Sequence, residues 1–383
     1  MTRDVRVLAR AKLTVSLRVL GRRPDGYHEL EALVVSLREP HDVVGLRIQA
    51  PFGVRVRLSG RAVIGVPADE TNLAARAARL LLEAAAEGDD PGPWAASGLD
   101  ISLHKSIPAG AGLGGGSADA AGTLVGGARL LGLAFDITAL STLAASLGSD
   151  VPFCLVGGIA WMRGRGEVVE PLPFPGPAVL PAPAGTPWPP GPPVPAPTGP
   201  AVPAPTGPAV PAPPWPPAPP TPPIPPGPAR LPSASPPPGP SAASPWPADP
   251  EPGGLSLVVA VPPFGLPTPA VYRAWDELGR PSSTRAVPLP EGLAGLGLPD
   301  HLINDLEPAA EHVEPRLRPF RHALEALAGA PALLAGSGSA YAVPVASPAQ
   351  AAVLATQAGV ELRAMAFATG LAARGVEAQK GPD

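Results

Sequence analysis

Apolar and polar residues alternate through much of Val5–Leu20, "VRVLARAKLTVSLRVL", as in a half-buried strand. "DVVGLRIQA" from Asp42 and "GVRVRLSG" from Gly53 repeat the pattern and predict two more strands. The period then lengthens. In "TNLAARAARLLLEAAAEG", Leu73, Ala77, Leu80, Leu81 and Ala84 recur at helical spacing, with Asp69 or Thr71 as starting cap and Gly88 as stop. "GLDISLHKSIP" from Gly98 is a strand that runs straight into a glycine-rich stretch, "IPAGAGLGGGSADAAG". "SADAAGTLVGGARLLGL" predicts a helix with Leu124, Val125, Ala128 and Leu131 inward. Gly122, Gly126 and Gly127 each cost that helix about 1 kcal/mol relative to alanine, which close backbone packing would offset. "DITALSTLAASLG" is a second helix, "SDVPFCLVGG" follows, and "IAWMRGRGEVVEPLP" reads as one strand.

A second patterned region begins near Gly254. "GLSLVVAVPP" is β-prone, "TPAVYRAWDELG" and "PFRHALEALAG" are helical, and "PALLAGSGSAYAVPVA" is strand, glycine turn, strand. "SPAQAAVLATQAG" is a helix with a Ser-Pro start. Strands and helices mixed in this order predict an α+β fold of two layers.

Between the two regions the periodicity disappears. Of the 61 prolines, 37 lie between Pro171 and Pro250, and the octad "PAPTGPAV" occurs in tandem from Pro195 and Pro203. So much proline removes the backbone donors that helix and sheet need. The expectation is a long, disordered, partly polyproline II insert, either a solvated spacer or a ligand for proline-recognition modules of unknown identity. The domain reading is therefore 1–173, an insert at 174–252, and 253–383.

Composition narrows the classes. No run of about 18 apolar residues marks a membrane span. The start, "MTRDVRVLARAKLTVSL", lacks the apolar core and cleavage site of a secretory signal. Cys154 is the only cysteine, which excludes an intrachain disulfide and fits a cytoplasmic setting. A formal net charge of −4 argues against a general nucleic-acid surface.

The chemistry is concentrated at four places. A strand, a glycine turn and the first turn of a helix aim several unpaired N–H groups one way, an anion site that a Cβ would obstruct. The spacing matches neither the P-loop, since no Lys-Ser/Thr pair follows the last glycine, nor the dinucleotide fingerprint. Taken alone the loop binds phosphate or is a flexible linker. Asp150, in "LGSDVPF", is either a general base for a substrate hydroxyl or a turn aspartate. Lys12, inside an alternating strand, either snorkels to solvent or pairs with an anion in a site. Tyr27-His28, in "RRPDGYHEL", either grips a nucleobase or forms a turn-to-strand junction.

In this order the four signals resemble the small-molecule kinases named for galactokinase, homoserine kinase, mevalonate kinase and phosphomevalonate kinase. The resemblance rests on "AKLTVSLRVLGRRPDGYHEL", "PAGAGLGGGSADAA", "LGSDVPF", "PTPAVY", "INDLEP" and "LLAGSGSAYAV", so it covers both patterned regions and skips the insert. It is strongest with the branch whose substrate alcohol, a methylerythritol, carries a cytidine diphosphate group.

The resemblance implies the family's two-domain kinase fold and transfer of a phosphoryl group from ATP, with Mg2+, to the substrate's 2-hydroxyl. Asp150 would be the base and Lys12 its charge partner, also favouring the alkoxide. Pro108, Gly110, Gly112, Gly114, Gly115, Gly116 and Ser117 would wrap the ATP phosphates, Ser117 would help hold Mg2+, and Lys105 and Asn72 would lie near the nucleotide. Tyr27, His28 and Tyr272 would form a cytosine pocket. Thr14, Thr268, Gly336, Ser337 and Gly338 complete the implied substrate side. Two positions depart from the family pattern: Thr14 stands where asparagine is usual, and Ala118 where a hydroxyl residue is common. Two alternatives remain at this stage, a kinase for another small alcohol and a non-catalytic ATP-binding scaffold using its proline-rich arm.

Overall fold

Two long antiparallel strands, β1 (Asp4–Arg22) and β2 (His28–Gln49), form the spine of the computed structural model. Described are residues 4–49, 53–86, 97–133, 137–174, 255–283, 285–290, 293, 296 and 298–379. The proline-rich stretch and Gly88 lie outside them. All fall in one unit, made of 1–177 and 249–383.

β3 (Val54–Ser59), α1 (Leu73–Ala86) and β4 (Gly98–His104) follow the spine, then α2 (Gly115–Leu131), α3 (Ile137–Leu147) and α4 (Val151–Val156). β5 (Ile159–Gly164) and β6 (Val168–Leu172) form a hairpin where the sequence pattern predicts one strand. The break is "GRGE", where Gly164 and Gly166 take φ of 72° and 114°, values a continuing strand does not allow. These strands join β13 (Val376–Gln379) in one seven-stranded sheet of order β13-β1-β2-β4-β3, with β5 and β6 extending from the first half of β2.

Beyond 254 come β7 (Ser256–Val261), α5 (Thr268–Glu277), the short pair β8 (Val287–Pro288) and β9 (His301–Leu302), α6 (Glu307–Val313) and α7 (Leu317–Ala328). β10 (Leu333–Leu334), β11 (Tyr341–Val345), α8 (Pro348–Glu361) and β12 (Met365–Gly370) complete the chain order before β13. A second, four-stranded antiparallel sheet runs β10-β11-β7-β12. The α+β expectation holds. Among the described residues no helix is long and apolar enough to cross a membrane.

Helix α2 packs against β1, β2 and α1 because its glycines let backbones meet. A Cβ at Gly126 would sit 2.5 Å from Leu46 Cδ1 and 2.8 Å from Val7 Cγ2, and one at Gly127 would sit 2.5 Å from Leu81 Cδ2. Leu124, Ala128 and Leu131 are buried as expected, whereas Val125 is half-buried at the edge. The cap of α1 is neither Asp69 nor Thr71 but Asn72, whose Oδ1 accepts from the Ala74 N–H at 2.9 Å. Asp69 instead accepts from Thr71 and organises the turn before it.

Candidate active site

The register of β1 against β2 slips between Arg10 and Lys12, and the freed Lys12 N–H donates to the Leu113 carbonyl at 3.0 Å. Such a bulge re-aims a side chain out of the regular alternation. Lys12 is thereby 7 % exposed and directed at the glycine loop. Its Nζ donates to Thr14 Oγ1 at 3.1 Å and lies 3.3 Å from Asp150 Oδ2. Thr14, in the place usual for asparagine, is therefore in contact with the lysine. Asp150 occupies the residue before α4, half-buried, with Val151 and Pro152 starting the helix behind it.

The loop from Pro108 to Gly114 is held by its carbonyls. Leu113, Ala111 and Gly110 accept from the N–H groups of Lys12, Ala340 and Leu266 at 3.0, 3.0 and 3.1 Å. Gly110, Gly112 and Gly114 have φ of 70°, 79° and 70°, so a side chain at any of them is strained, and at Gly112 and Gly114 also crowded. The first intrahelical bond of α2 runs from the Ala118 N–H to the Gly114 carbonyl at 2.9 Å. The N–H groups of Gly115, Gly116 and Ser117 therefore begin the helix without an intrahelical acceptor, at the positive end of its dipole. This backbone fits the phosphates of a nucleotide. Ser117 and Asp150, both facing the cleft, supply oxygens of the kind Mg2+ prefers, and such sites normally draw their remaining ligands from phosphate and water.

The loop, Lys12, Thr14 and Asp150 line one cleft of about 680 Å3, together with Tyr27, His28, Thr268, Tyr272, Gly336 and Ser337. At its far end His28 stacks on Tyr272, ring centroids 4.8 Å apart, and meets the edge of Trp275 at 5.6 Å. Arg165 lies over the exposed Tyr27 ring at 4.9 Å. Burial pushes the Tyr272 phenol upward, so it stays neutral. Thr268 and Ser337 share a 2.8 Å hydroxyl hydrogen bond across the mouth, and Asn304 of "INDLEP" donates to the Leu334 and Gly336 carbonyls at 3.0 and 2.7 Å.

Three residues expected at the site do not line the cleft. Gly338 lies behind the cleft wall, where a Cβ would approach Leu334 Cδ1 at 3.1 Å. Asn72 turns its side chain to its own backbone, donating to the Pro67 carbonyl at 2.6 Å. Lys105 is 2 % exposed and ion-paired with Asp42 and Asp119, because two carboxylates hold it in the core.

Sequence reasoning passed over Asp276, whose Oδ2 lies 3.1 Å from His28 Nε2, and Arg22, 3.9 Å from that carboxylate. A signal existed: Asp276 falls four residues after Tyr272 on a predicted helix, hence on the same face. Arg165 and Arg273 also line the cleft. Arg165 sits in the turn that was read as strand.

A strand-ending glycine loop at a helix start, with a lysine–aspartate pair at its mouth, is the arrangement that the resemblance to the small-molecule kinases leads one to expect. Residues 72–158 match the GHMP kinases N terminal domain. Beyond that class, the sequence is similar to 4-diphosphocytidyl-2-C-methyl-D-erythritol kinases. That of Pelotomaculum thermopropionicum is 45% identical over 173 residues, 45% of this chain and 56% of the relative. That of Acaryochloris marina is 46% identical over 165 residues, 43% of this chain and 49% of the relative. The aligned part thus spans about half the length of these curated relatives. A crystal structure of 4-(cytidine 5'-diphospho)-2C-methyl-D-erythritol kinase superposes with a TM-score of 0.57 at 29% identity, covering 96% of this chain and 98% of that one.

Proposed function

We propose that the protein is an ATP-dependent kinase for the 2-hydroxyl of 4-diphosphocytidyl-2-C-methyl-D-erythritol, a step of the non-mevalonate route to isoprenoids. The observation that carries the reading is the 3.3 Å Lys12–Asp150 pair, set between the glycine loop and the His28–Tyr272 stack in one cleft. The same spacing of phosphate cradle, base and aromatic pocket is what a nucleotide and a cytidylyl alcohol need when they meet end to end.

In this reading Asp150 accepts the proton of the 2-hydroxyl as its oxygen attacks the terminal phosphorus of ATP, and ADP departs. Lys12 opposes the charge gathering on that oxygen. The N–H groups of Gly115, Gly116 and Ser117 hold the phosphates, and Ser117 helps retain Mg2+, which neutralises phosphate charge when bound. Phosphoryl transfer asks a protein mainly for positioning and charge neutralisation, which so short a set supplies. Arg22, Arg165 and Arg273 put positive charge along the wall facing the substrate's diphosphate. His28 and Tyr272 present a ring face and the His28 Nδ1 to cytosine, Nε2 being held by Asp276, with the exposed Tyr27 as a partner at the rim.

The rest of the reading follows the sequence: 1–173 and 253–383 as the two parts of the kinase fold, and 174–252 as a proline-rich insert with no part in chemistry. The setting is cytoplasmic, without a nucleic-acid or membrane partner. ADP release from purified protein with Mg-ATP, offered the cytidylyl alcohol, mevalonate, homoserine or galactose in turn, tests substrate choice. Turnover with mevalonate and none with the cytidylyl compound would transfer the protein to another branch of these kinases.

A further inference from the structure

Beneath the glycine loop, Lys105 Nζ is bonded to Asp42 Oδ2 and to Asp119 Oδ2, and all three residues are nearly or fully excluded from solvent. Asp42 belongs to β2, Lys105 follows the last residue of β4, and Asp119 lies in the second turn of α2. The other oxygen of Asp42 accepts the N–H groups of Ser106 and Ile107 at 2.6 and 2.9 Å. The Lys105 backbone is tied in turn to β3 and the turn after it, its N–H donating to the Ser59 carbonyl at 2.7 Å and its carbonyl accepting from Ala62 at 3.1 Å. The chain therefore leaves the sheet at Lys105, runs through the glycine loop, and is caught again at Asp119 by the same ammonium group.

We propose that Asp42, Lys105 and Asp119 are positioning residues that clamp the neck of the glycine loop and keep its N–H groups in phosphate-binding geometry. The proposal rests on the reading of that loop as the nucleotide site. Two features support it over a merely stabilising role. Buried ionic clusters are poor sources of stability, since apolar groups of similar volume commonly do as well or better. This cluster also carries a cost it could have avoided: among the described residues Asp119 Oδ1 has no hydrogen-bond partner. What the cluster provides and an apolar core does not is fixed register between strand end, loop and helix start. Glycines at 110, 112 and 114 make that register hard to keep by any local means.

The test compares wild type with the charge-free triple variant D42N/K105M/D119L and the conservative single variant Asp119→Asn. Three readouts are followed: melting temperature, calorimetric affinity for ATP and for CDP as a probe of the cytosine end, and amide hydrogen exchange of residues 107–117. The triple variant is expected to melt no lower than wild type, to bind CDP as wild type does, and to lose ATP affinity by about tenfold or more. Its loop amides should exchange faster, while the single variant Asp119→Asn keeps both slow exchange and affinity. A folded triple variant with wild-type ATP affinity and wild-type loop exchange overturns the clamp. If the triple variant does not fold, Asp42→Ala, which removes the acceptors of Ser106 and Ile107 together with one carboxylate of Lys105, decides on the same two readouts. A wild type that fails to bind ATP overturns the kinase reading instead, and loop exchange then still reports on the clamp.

Discussion

Lys12 and Asp150 stand 3.3 Å apart, nitrogen to oxygen, although one comes from the middle of the first strand and the other from the residue before α4. Neither has a reason of its own to be there. The bulge that aims the lysine is held by the Leu113 carbonyl, so the pair and the glycine loop are built as one object. Asp150→Asn keeps shape and removes the proposed base. It should lower kcat by about 10^2–10^4-fold while leaving the calorimetric affinity for ATP within a few-fold of wild type. Near-normal turnover would remove Asp150 from the chemistry.

Gly114 couples the two halves of that object. A Cβ there would lie 2.7 Å from Lys12 Cγ, on a backbone with φ of 70°. Gly114→Ala therefore both strains the turn, by about 1–2 kcal/mol, and displaces the lysine. Steady-state kinetics should show a higher KM for ATP and a lower kcat together, whereas Gly132→Ala, at a helix end with open space around it, should leave both unchanged.

At the cytosine end, Asp276 fixes the His28 ring from Nε2. Asp276→Ala should raise KM for the cytidylyl alcohol by about tenfold with a smaller change in kcat, because the group orients binding and touches no reacting atom. Unchanged KM would mean His28 needs no such support.

Burial drives the Asp119 carboxyl up to about 8, against the opposing pull of Lys105. Lys105 is itself raised: burial lowers it, and Asp119 and Asp42 together more than reverse that. Asp42, Lys105 and, from α4, Cys154 are the ionisable groups that face Asp119. A raised carboxyl binds its proton more tightly folded than unfolded. Its stabilising contribution is full below the ordinary carboxylate range and is lost as pH climbs toward about 8. Thermal melts should accordingly show stability falling across that window, and Asp119→Asn should flatten the fall. A wild-type profile that rises through the same range would contradict it.

Much of this was legible in the chain. The period-two run around Lys12 gave β1, and "PAGAGLGGGSADAA" gave both loop and helix, because glycine and helical spacing are local signals. Tyr27 and His28 stood out as a possible nucleobase grip, but their meeting with Thr268 and Ser337 was legible only through family resemblance, since no local pattern brings residues of β1–β2 to α5. The resemblance put Lys105 near the nucleotide, but no local pattern shows that Asp42 and Asp119 hold its ammonium group in the core. Asn72, which the resemblance put near the nucleotide, caps α1. β12 and β13 escaped notice because short strands in "MAFATG" and "VEAQ" are specified by pairing with β7 and β1, not by their own periodicity.

Every residue assigned a role in the cleft lies outside 175–254. Deleting about 176–250 and joining the ends with a short flexible linker should leave kcat within about twofold, since loop closure costs little more for a long link than for a short one. A large loss would give the insert a part in building the site.

The most direct measurement is phosphorus NMR of the purified protein turning over Mg-ATP and 4-diphosphocytidyl-2-C-methyl-D-erythritol. The account predicts one new phosphomonoester resonance on the 2-position for each ADP formed, absent with Asp150→Asn. Binding of both ligands with no new phosphomonoester, or a phosphate placed on another hydroxyl, would contradict it.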